Sequence, residues 1–265
     1  MLKLTDYGFE PNTLPEEIQS SQLAPIARIT AVHRERYELV CDYGAISAKL
    51  KSSKYQGGSD TQFPTVGDFV QIDYNPAGDS RIIATLPRKT FFSRRDPTPG
   101  RGEQAIAANF DYVFIMQSLN HDFNISRLER YLALAWQSGA VPCVILTKSD
   151  LVEDYTERLR QVEVTAAGVS VYAVSAKTGA GLDTLSDFLK PRKTIIFLGS
   201  SGVGKSSLVN ALMNDEVMAV KEIREDDSKG RHTTTHRQLF MLPSGAMLIC
   251  FRSPATPMPA QRRCP

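Results

Sequence analysis

The stretch that decides the fold runs Thr194-Ile-Ile-Phe-Leu198, then Gly199-Ser-Ser-Gly-Val-Gly204-Lys205-Ser206, then Ser207-Leu-Val-Asn-Ala-Leu212. An apolar strand, a glycine-rich turn and an apolar-faced helix follow one another, and the fixed Gly, Gly, Lys and Ser positions have phosphate-binding P-loop spacing. Glycines let the backbone curl until several amides point at one anion. Lys205 would set a compact positive charge on the β- and γ-phosphates, and the Ser206 hydroxyl would ligate Mg2+. The helix that follows directs its positive end toward the same anion. These fixed positions arise by chance in about 1 in 100 chains of this length, and the strand–turn–helix context lowers that further. The candidate phosphate contacts are Gly199, Ser200, Ser201, Gly202, Val203, Gly204, Lys205, Ser206 and Ser207.

Upstream lie two turns that point to the base. Thr147, Lys148, Ser149 and Asp150 follow the apolar run Val144-Ile-Leu146 and resemble the guanine-reading NKxD element. An aspartate there can accept from the N1 and N2 donors of guanine, whereas adenine would leave it unpaired. Ser175, Ala176 and Lys177 follow the run ending at Val174 and match the SAK loop, whose backbone amide contacts the guanine carbonyl. Taken alone, the tetrapeptide reads as a helix cap; with a second base-reading turn and a P-loop, it reads as one guanosine nucleotide site. In Ras-like GTPases the P-loop comes first, but here both base-reading turns precede it. Loops at the carboxyl ends of parallel strands still converge after the termini are moved. The order implies a circularly permuted domain.

Further outward, strand-like runs at Tyr112–Met116, Val144–Leu146, Val169–Val174 and Thr194–Leu198 alternate with helical stretches near Leu128–Ala135, Glu153–Ala166 and Leu182–Leu189. This predicts an α/β domain with a parallel sheet covered on both faces. Before it, Ile26–Val32, Tyr37–Cys41, Ala45–Leu50, Phe69–Ile72 and Arg81–Leu86 are short β-type runs separated by turn residues, suggesting a small all-β barrel or sandwich. Between them, Arg81, Arg88, Lys89, Arg94, Arg95 and Arg101 sit with one acid, Asp96, among prolines and glycines. They read as an exposed basic linker suited to a phosphate backbone.

Composition bounds the rest. The 265 residues are 42% apolar, with 31 Lys and Arg against 29 Asp and Glu for a net charge of +2. That excludes wholesale disorder, collagen and coiled coil. No uncharged apolar run reaches the roughly 18 residues of a membrane span, and the polar start Met1-Leu2-Lys3 is not that of a signal peptide. Cys41, Cys143, Cys250 and Cys264 lack CxxC spacing, which leaves neither a disulfide framework nor a zinc knuckle. A soluble cytoplasmic protein is expected.

Gly230-Arg-His-Thr-Thr-Thr-His-Arg237 lies in a polar stretch placed as a switch loop. There a threonine, with Thr234 as candidate, would reach Mg2+ and the γ-phosphate, and His232 would orient water. These motifs, with Val66-Gly67-Asp68, Ala107-Ala108-Asn109-Phe110-Asp111 and Arg127-Leu-Glu-Arg-Tyr-Leu132, resemble the RsgA (YjeQ/EngC-type) family of small ribosomal subunit biogenesis GTPases over residues 22–249. The resemblance implies a multi-domain chain, with an N-terminal OB-fold barrel followed by a circularly permuted P-loop GTPase domain and a zinc-binding domain. It also implies GTP/GDP and Mg2+ as ligands, and a monomer that acts on the small ribosomal subunit and its rRNA, away from membranes. The catalytic candidates are His232, Lys205 and Thr234, and the metal candidates Ser206 and Thr234. The expected parts are an extension (1–22), an OB-fold (23–88), a basic linker (89–103), a permuted G domain (104–249) and an irregular tail (250–265).

The tail departs from the family. Where the family continues Asp-Thr-Pro-Gly after Ile249, this chain has Cys250-Phe-Arg-Ser-Pro-Ala-Thr-Pro-Met-Pro. The expectation is that the second switch and the zinc-binding domain are missing, so that nucleotide binding persists while hydrolysis is impaired. A general P-loop ATPase and an RNA-binding module with a vestigial nucleotide site are the alternatives.

Overall fold

A computed structural model of the chain describes residues 3–13, 24–33, 36–51, 63–95, 103–120, 122–215 and 236–252. β1 (Ile26–Val32), β2 (Tyr37–Cys41), β3 (Gly44–Leu50), β4 (Phe69–Asp73) and β5 (Ser80–Thr85) form a barrel. β1 pairs with β2, β2 with β3, β3 in parallel with β5, β5 with β4, and β4 closes on β1. Ala27, Ile29, Leu39, Cys41, Ala48, Val70, Ile72 and Ile82 fill the interior. This is the closed order expected of an OB-fold.

β6 (Phe91–Arg95) and β7 (Glu103–Ala108) form a two-stranded antiparallel ribbon. The expectation of an exposed basic linker is corrected here in two ways. The segment is paired β-structure on both sides of residues 96–102, and Arg88 is not a free surface charge. Its Nε and Nη2 each donate to Asp68, at 2.8 Å to both oxygens, and Nη2 also donates to the Phe63 carbonyl. Asp68 is fully buried, so the arginine compensates a charge 20 residues earlier that local composition does not reveal.

The second domain contains β8 (Tyr112–Ser118), α1 (Ile125–Gln137), β9 (Val141–Thr147), α2 (Thr156–Thr165), β10 (Ser170–Ala173), β11 (Thr194–Leu198), α3 (Lys205–Met213), β12 (His236–Met241) and β13 (Met247–Arg252). The strand order is β10-β9-β8-β11-β13-β12, parallel except for β12. Alternate residues of each strand face opposite layers: Val113 and Ile115 join one core, Phe114 and Met116 the other. α1 starts where Asn124 accepts the Arg127 amide, and Leu128, Leu132 and Ala135 form its buried stripe.

Two further expectations change. In the stretch expected to be helical, 182–189, the backbone bonds run i to i+3, from Thr184 to Gly181, Ser186 to Asp183 and Phe188 to Leu185. It is a succession of tight turns rather than an α-helix. And Cys250, Phe251 and Arg252 are not irregular: they extend β13 opposite Gln238, Arg237 and His236.

The two domains share one sheet. β12 pairs with barrel strand β1 through Ala31–Gln238 and Val32–Arg237. At the same joint Arg28, only 1% exposed, donates to the carbonyls of Gly67, Tyr7 and Asn109 and to the Met247 sulfur. A Cβ on Gly67 would lie 2.1 Å from the Ala108 carbonyl oxygen, so only glycine permits this approach.

Candidate functional site

The site forms where β11 ends. Gly199 follows the buried strand, and a Cβ there would come within 3.0 Å of the Met116 carbonyl oxygen. The turn then needs left-handed backbone at Gly202 (φ 75°) and Gly204 (φ 103°) before α3 begins at Lys205. The first amides of a helix lack intrahelical acceptors, and a Cβ built on Gly202, in the turn just before α3, would meet nothing within 4 Å. These residues fit a phosphate group. Lys205 Nζ lies over the turn, donating to the carbonyls of Gly199 at 2.8 Å and Ser200 at 2.5 Å. Burial pushes its pKa down to about 8, because desolvation disfavours the charged ammonium.

The structure brings the turns at 147–150 and 175–177 to this loop. Thr147, at the end of β9, donates its hydroxyl to the Val203 carbonyl at 2.6 Å and shares it with Gln117 at 3.3 Å. The threonine thus ties the 147–150 turn to the glycine-rich loop. Lys148 takes the left-handed conformation (φ 60°), and Ser149 to Leu151 form a single tight turn. Asp150 is exposed, with one oxygen fixed by the Ser175 hydroxyl at 2.6 Å. The Ser149 amide bonds the Val174 carbonyl, and the Thr178 amide bonds the Ser175 hydroxyl. Ala176 and Lys177 follow in that same turn, Lys177 exposed. Three turns from positions 147, 175 and 199 therefore meet at one end of the sheet, in contact through hydrogen bonds.

His232, Thr233, Thr234 and Thr235 lie outside the described residues. Cys250 is buried, and its thiol is pushed up to about 12; Cys143 is also buried and likewise shifted to about 12. Both are neutral at physiological pH. Sequence reasoning missed Asp122, which binds Ser200 of the P-loop. No local motif signals that contact across 78 residues.

The RsgA GTPase family model matches residues 85–251. That span covers the ribbon and the whole permuted domain. This chain belongs to the RsgA GTPase family. Among RsgA relatives, the small ribosomal subunit biogenesis GTPase RsgA 1 of Listeria monocytogenes is 50% identical over 93% of this chain and 69% of its own length. The RsgA 1 of Listeria innocua is 46% identical over the same shares. Among solved structures, YjeQ from Thermotoga maritima aligns with a TM-score of 0.65 at 24% identity, covering 86% of this chain and 74% of that one. YloQ, a circularly permuted GTPase, aligns at 0.60 with 22% identity, covering 89% and 74%. The fold is that of the permuted RsgA GTPases, with the barrel in front.

Proposed function

We propose that this chain binds GTP and GDP with Mg2+ between the three turns, hydrolyses GTP, and serves maturation of the small ribosomal subunit as a cytoplasmic monomer. The observation that supports this reading most is the pair of hydrogen bonds from Thr147 to Val203 and from Ser175 to Asp150. They join base-reading and phosphate-holding residues into one unit. Among the described residues no helix is long and apolar enough to cross a membrane.

In this reading Gly199 to Ser207 hold the phosphates, Lys205 exchanges the carbonyls of Gly199 and Ser200 for phosphate oxygens, and Asp150 accepts from the guanine ring. The Ser206 hydroxyl, with Thr234, would hold Mg2+, which when bound neutralises phosphate charge during transfer. His232 is assigned the attacking water. Turnover is weak, because a buried neutral thiol at Cys250 stands where the family places the aspartate of its second switch. Binding depends on the turns and outlasts that loss, since positioning of metal and water suffers first.

Binding and single-turnover hydrolysis on the same 265-residue chain test this. The expected result is tight GTP and GDP binding with hydrolysis that small ribosomal subunits do not stimulate. Subunit-stimulated turnover would refute the impairment, and lack of guanine nucleotide binding would refute the site.

A further inference from the structure

Residues 3–10 belong to no strand and no α-helix, yet they are seated on both domains at once. Leu4–Tyr7 make a single 3₁₀ turn, braced by the Lys3 amide on Asp6 Oδ2 at 2.8 Å and closed by Gly8 in the left-handed conformation (φ 77°). On the barrel side, the Leu4 amide donates to Asp42 Oδ1 at 3.0 Å and the Leu4 side chain is buried. The ring centroids of Phe9 and Phe69 lie 5.3 Å apart. At the joint itself, the Tyr7 carbonyl accepts from Arg28 Nη1 at 2.5 Å. On the side of the second domain, Tyr7 packs against the core that holds Val113 and Ile115. A Cβ on Gly8 would lie 2.9 Å from the carbonyl oxygen of Arg192, just before β11, and 3.6 Å from Met247 Cε at the start of β13.

One turn of 3₁₀ helix does not hold itself together in water, because it fixes more backbone than its own bonds stabilise. Its order comes from its seat, and the seat has a barrel half and a second-domain half. Parting the halves removes the seat. The hold is also modest: a buried leucine, a partly buried tyrosine and a few hydrogen bonds. The ion pair of Glu10 with Lys89, at 2.6 Å but exposed, adds little. A segment with so few buried contacts opens at lower cost than the cores beneath it. We propose that residues 3–10 are a detachable latch across the joint: seated, they hold the barrel and the second domain in one orientation, and lifted, they loosen the joint while both domains stay folded. The latch is independent of the nucleotide-binding reading above.

A latch differs from a piece of either core in what its loss disturbs. Gly8→Ala sets a methyl group against the Arg192 carbonyl and strains a left-handed backbone, which lifts the segment on the second-domain side. Leu4→Ala removes the buried side chain on the barrel side. Either change loosens the β1–β12 pairing, where Ala31 meets Gln238 and Val32 meets Arg237. The β2–β3 ladder in the barrel and the β8–β9 ladder in the second domain stay as they are.

Hydrogen–deuterium exchange of the full chain, followed peptide by peptide in wild type, Gly8→Ala and Leu4→Ala, tests this. In wild type, residues 3–10 should exchange more slowly than a free chain and faster than the β2–β3 and β8–β9 ladders. In both variants, exchange in peptides covering 31–32 and 237–238 should rise about tenfold, with the two ladders unchanged. Seam exchange that stays at the wild-type rate in either folded variant would overturn the latch, since the segment would then be a passenger. Ladders that lose protection together with the seam in Leu4→Ala would overturn it too, by making the segment part of one cooperative core. Leu4→Ala, the milder change, decides the matter if Gly8→Ala does not fold. Wild-type residues 3–10 exchanging as fast as a free chain would show that nothing is latched.

Discussion

Thr147 shows how one hydroxyl joins two motifs. The bond from Thr147 Oγ1 to the Val203 carbonyl is short and buried. Thr147→Val keeps the shape but leaves that carbonyl without its donor, which costs about 1–3 kcal/mol. Expected are a lower melting temperature and weaker GDP binding, read by thermal unfolding with and without ligand; an unchanged ligand-induced shift would argue against the tie. Lys205 makes a second prediction. Its pKa is lowered to about 8 by burial, while a bound phosphate favours the charged form, so binding takes up a proton. Affinity for GDP should be full below pH 8 and fall above it by up to about tenfold per unit. A dissociation constant flat between pH 7 and 9 would contradict the assignment. The P-loop lysine was legible from spacing alone. Asp122 was not, because a carboxylate 78 residues away finds Ser200 only after the sheet has formed.

At the scale of elements, the strands were legible because buried strands of a two-faced sheet are mostly apolar runs, as in the expected Tyr112–Met116, which the structure extends to Ser118, and Thr194–Leu198. In the 182–189 stretch, Leu182, Leu185, Phe188 and Leu189 have helical spacing and pack into the core, but the helix is a short 3₁₀ one over Leu182–Leu185, its turns closing at i+3 rather than i+4. The basic segment misled for another reason. Arg88 is 16% exposed in its ion pair with Asp68, which is 0% exposed, and composition cannot show a partner brought by folding. Burial pushes the Asp68 carboxyl up and Arg88 opposes it. Arg88→Ala should therefore destabilise the barrel by about 3–5 kcal/mol, because it strands a buried carboxylate. Urea unfolding checks this, and a loss under 1 kcal/mol, that of an ordinary surface charge, would show that Arg88 is the solvated linker residue that composition suggests.

Across the whole molecule, the pairing of β1 with β12 makes barrel and nucleotide domain one sheet of eleven strands. Residues 31–32 and 237–238 meet there, a pairing that no local pattern announces. Arg28, on barrel strand β1, seals the joint between the barrel and the second domain, burial lowering its pKa to about 10, so it stays charged at neutral pH. Arg28→Ala takes the donor from the carbonyls of Tyr7 and Asn109, while the Gly67 carbonyl keeps the Asn109 side-chain amide, and each buried carbonyl so stranded costs about 1–3 kcal/mol. Wild type should unfold in one transition, and Arg28→Ala should lower its midpoint or split it in two. Two well-separated transitions in the wild type would show that the domains are independent.

In the proposed function a single guanine nucleotide is read by Asp150 while Lys205 and the loop amides hold its phosphates. Competition of GTP, ATP and xanthosine triphosphate for a fluorescent GDP tests it most directly, in wild type and Asp150→Asn. Only GTP should compete in wild type. In Asp150→Asn, GTP should lose about a hundredfold as one guanine donor faces the amide NH2 instead of an oxygen, while xanthosine triphosphate, whose C2 carbonyl accepts from that NH2, should gain. ATP competing as well as GTP, or an Asp150→Asn variant that keeps its preference for GTP, would contradict it.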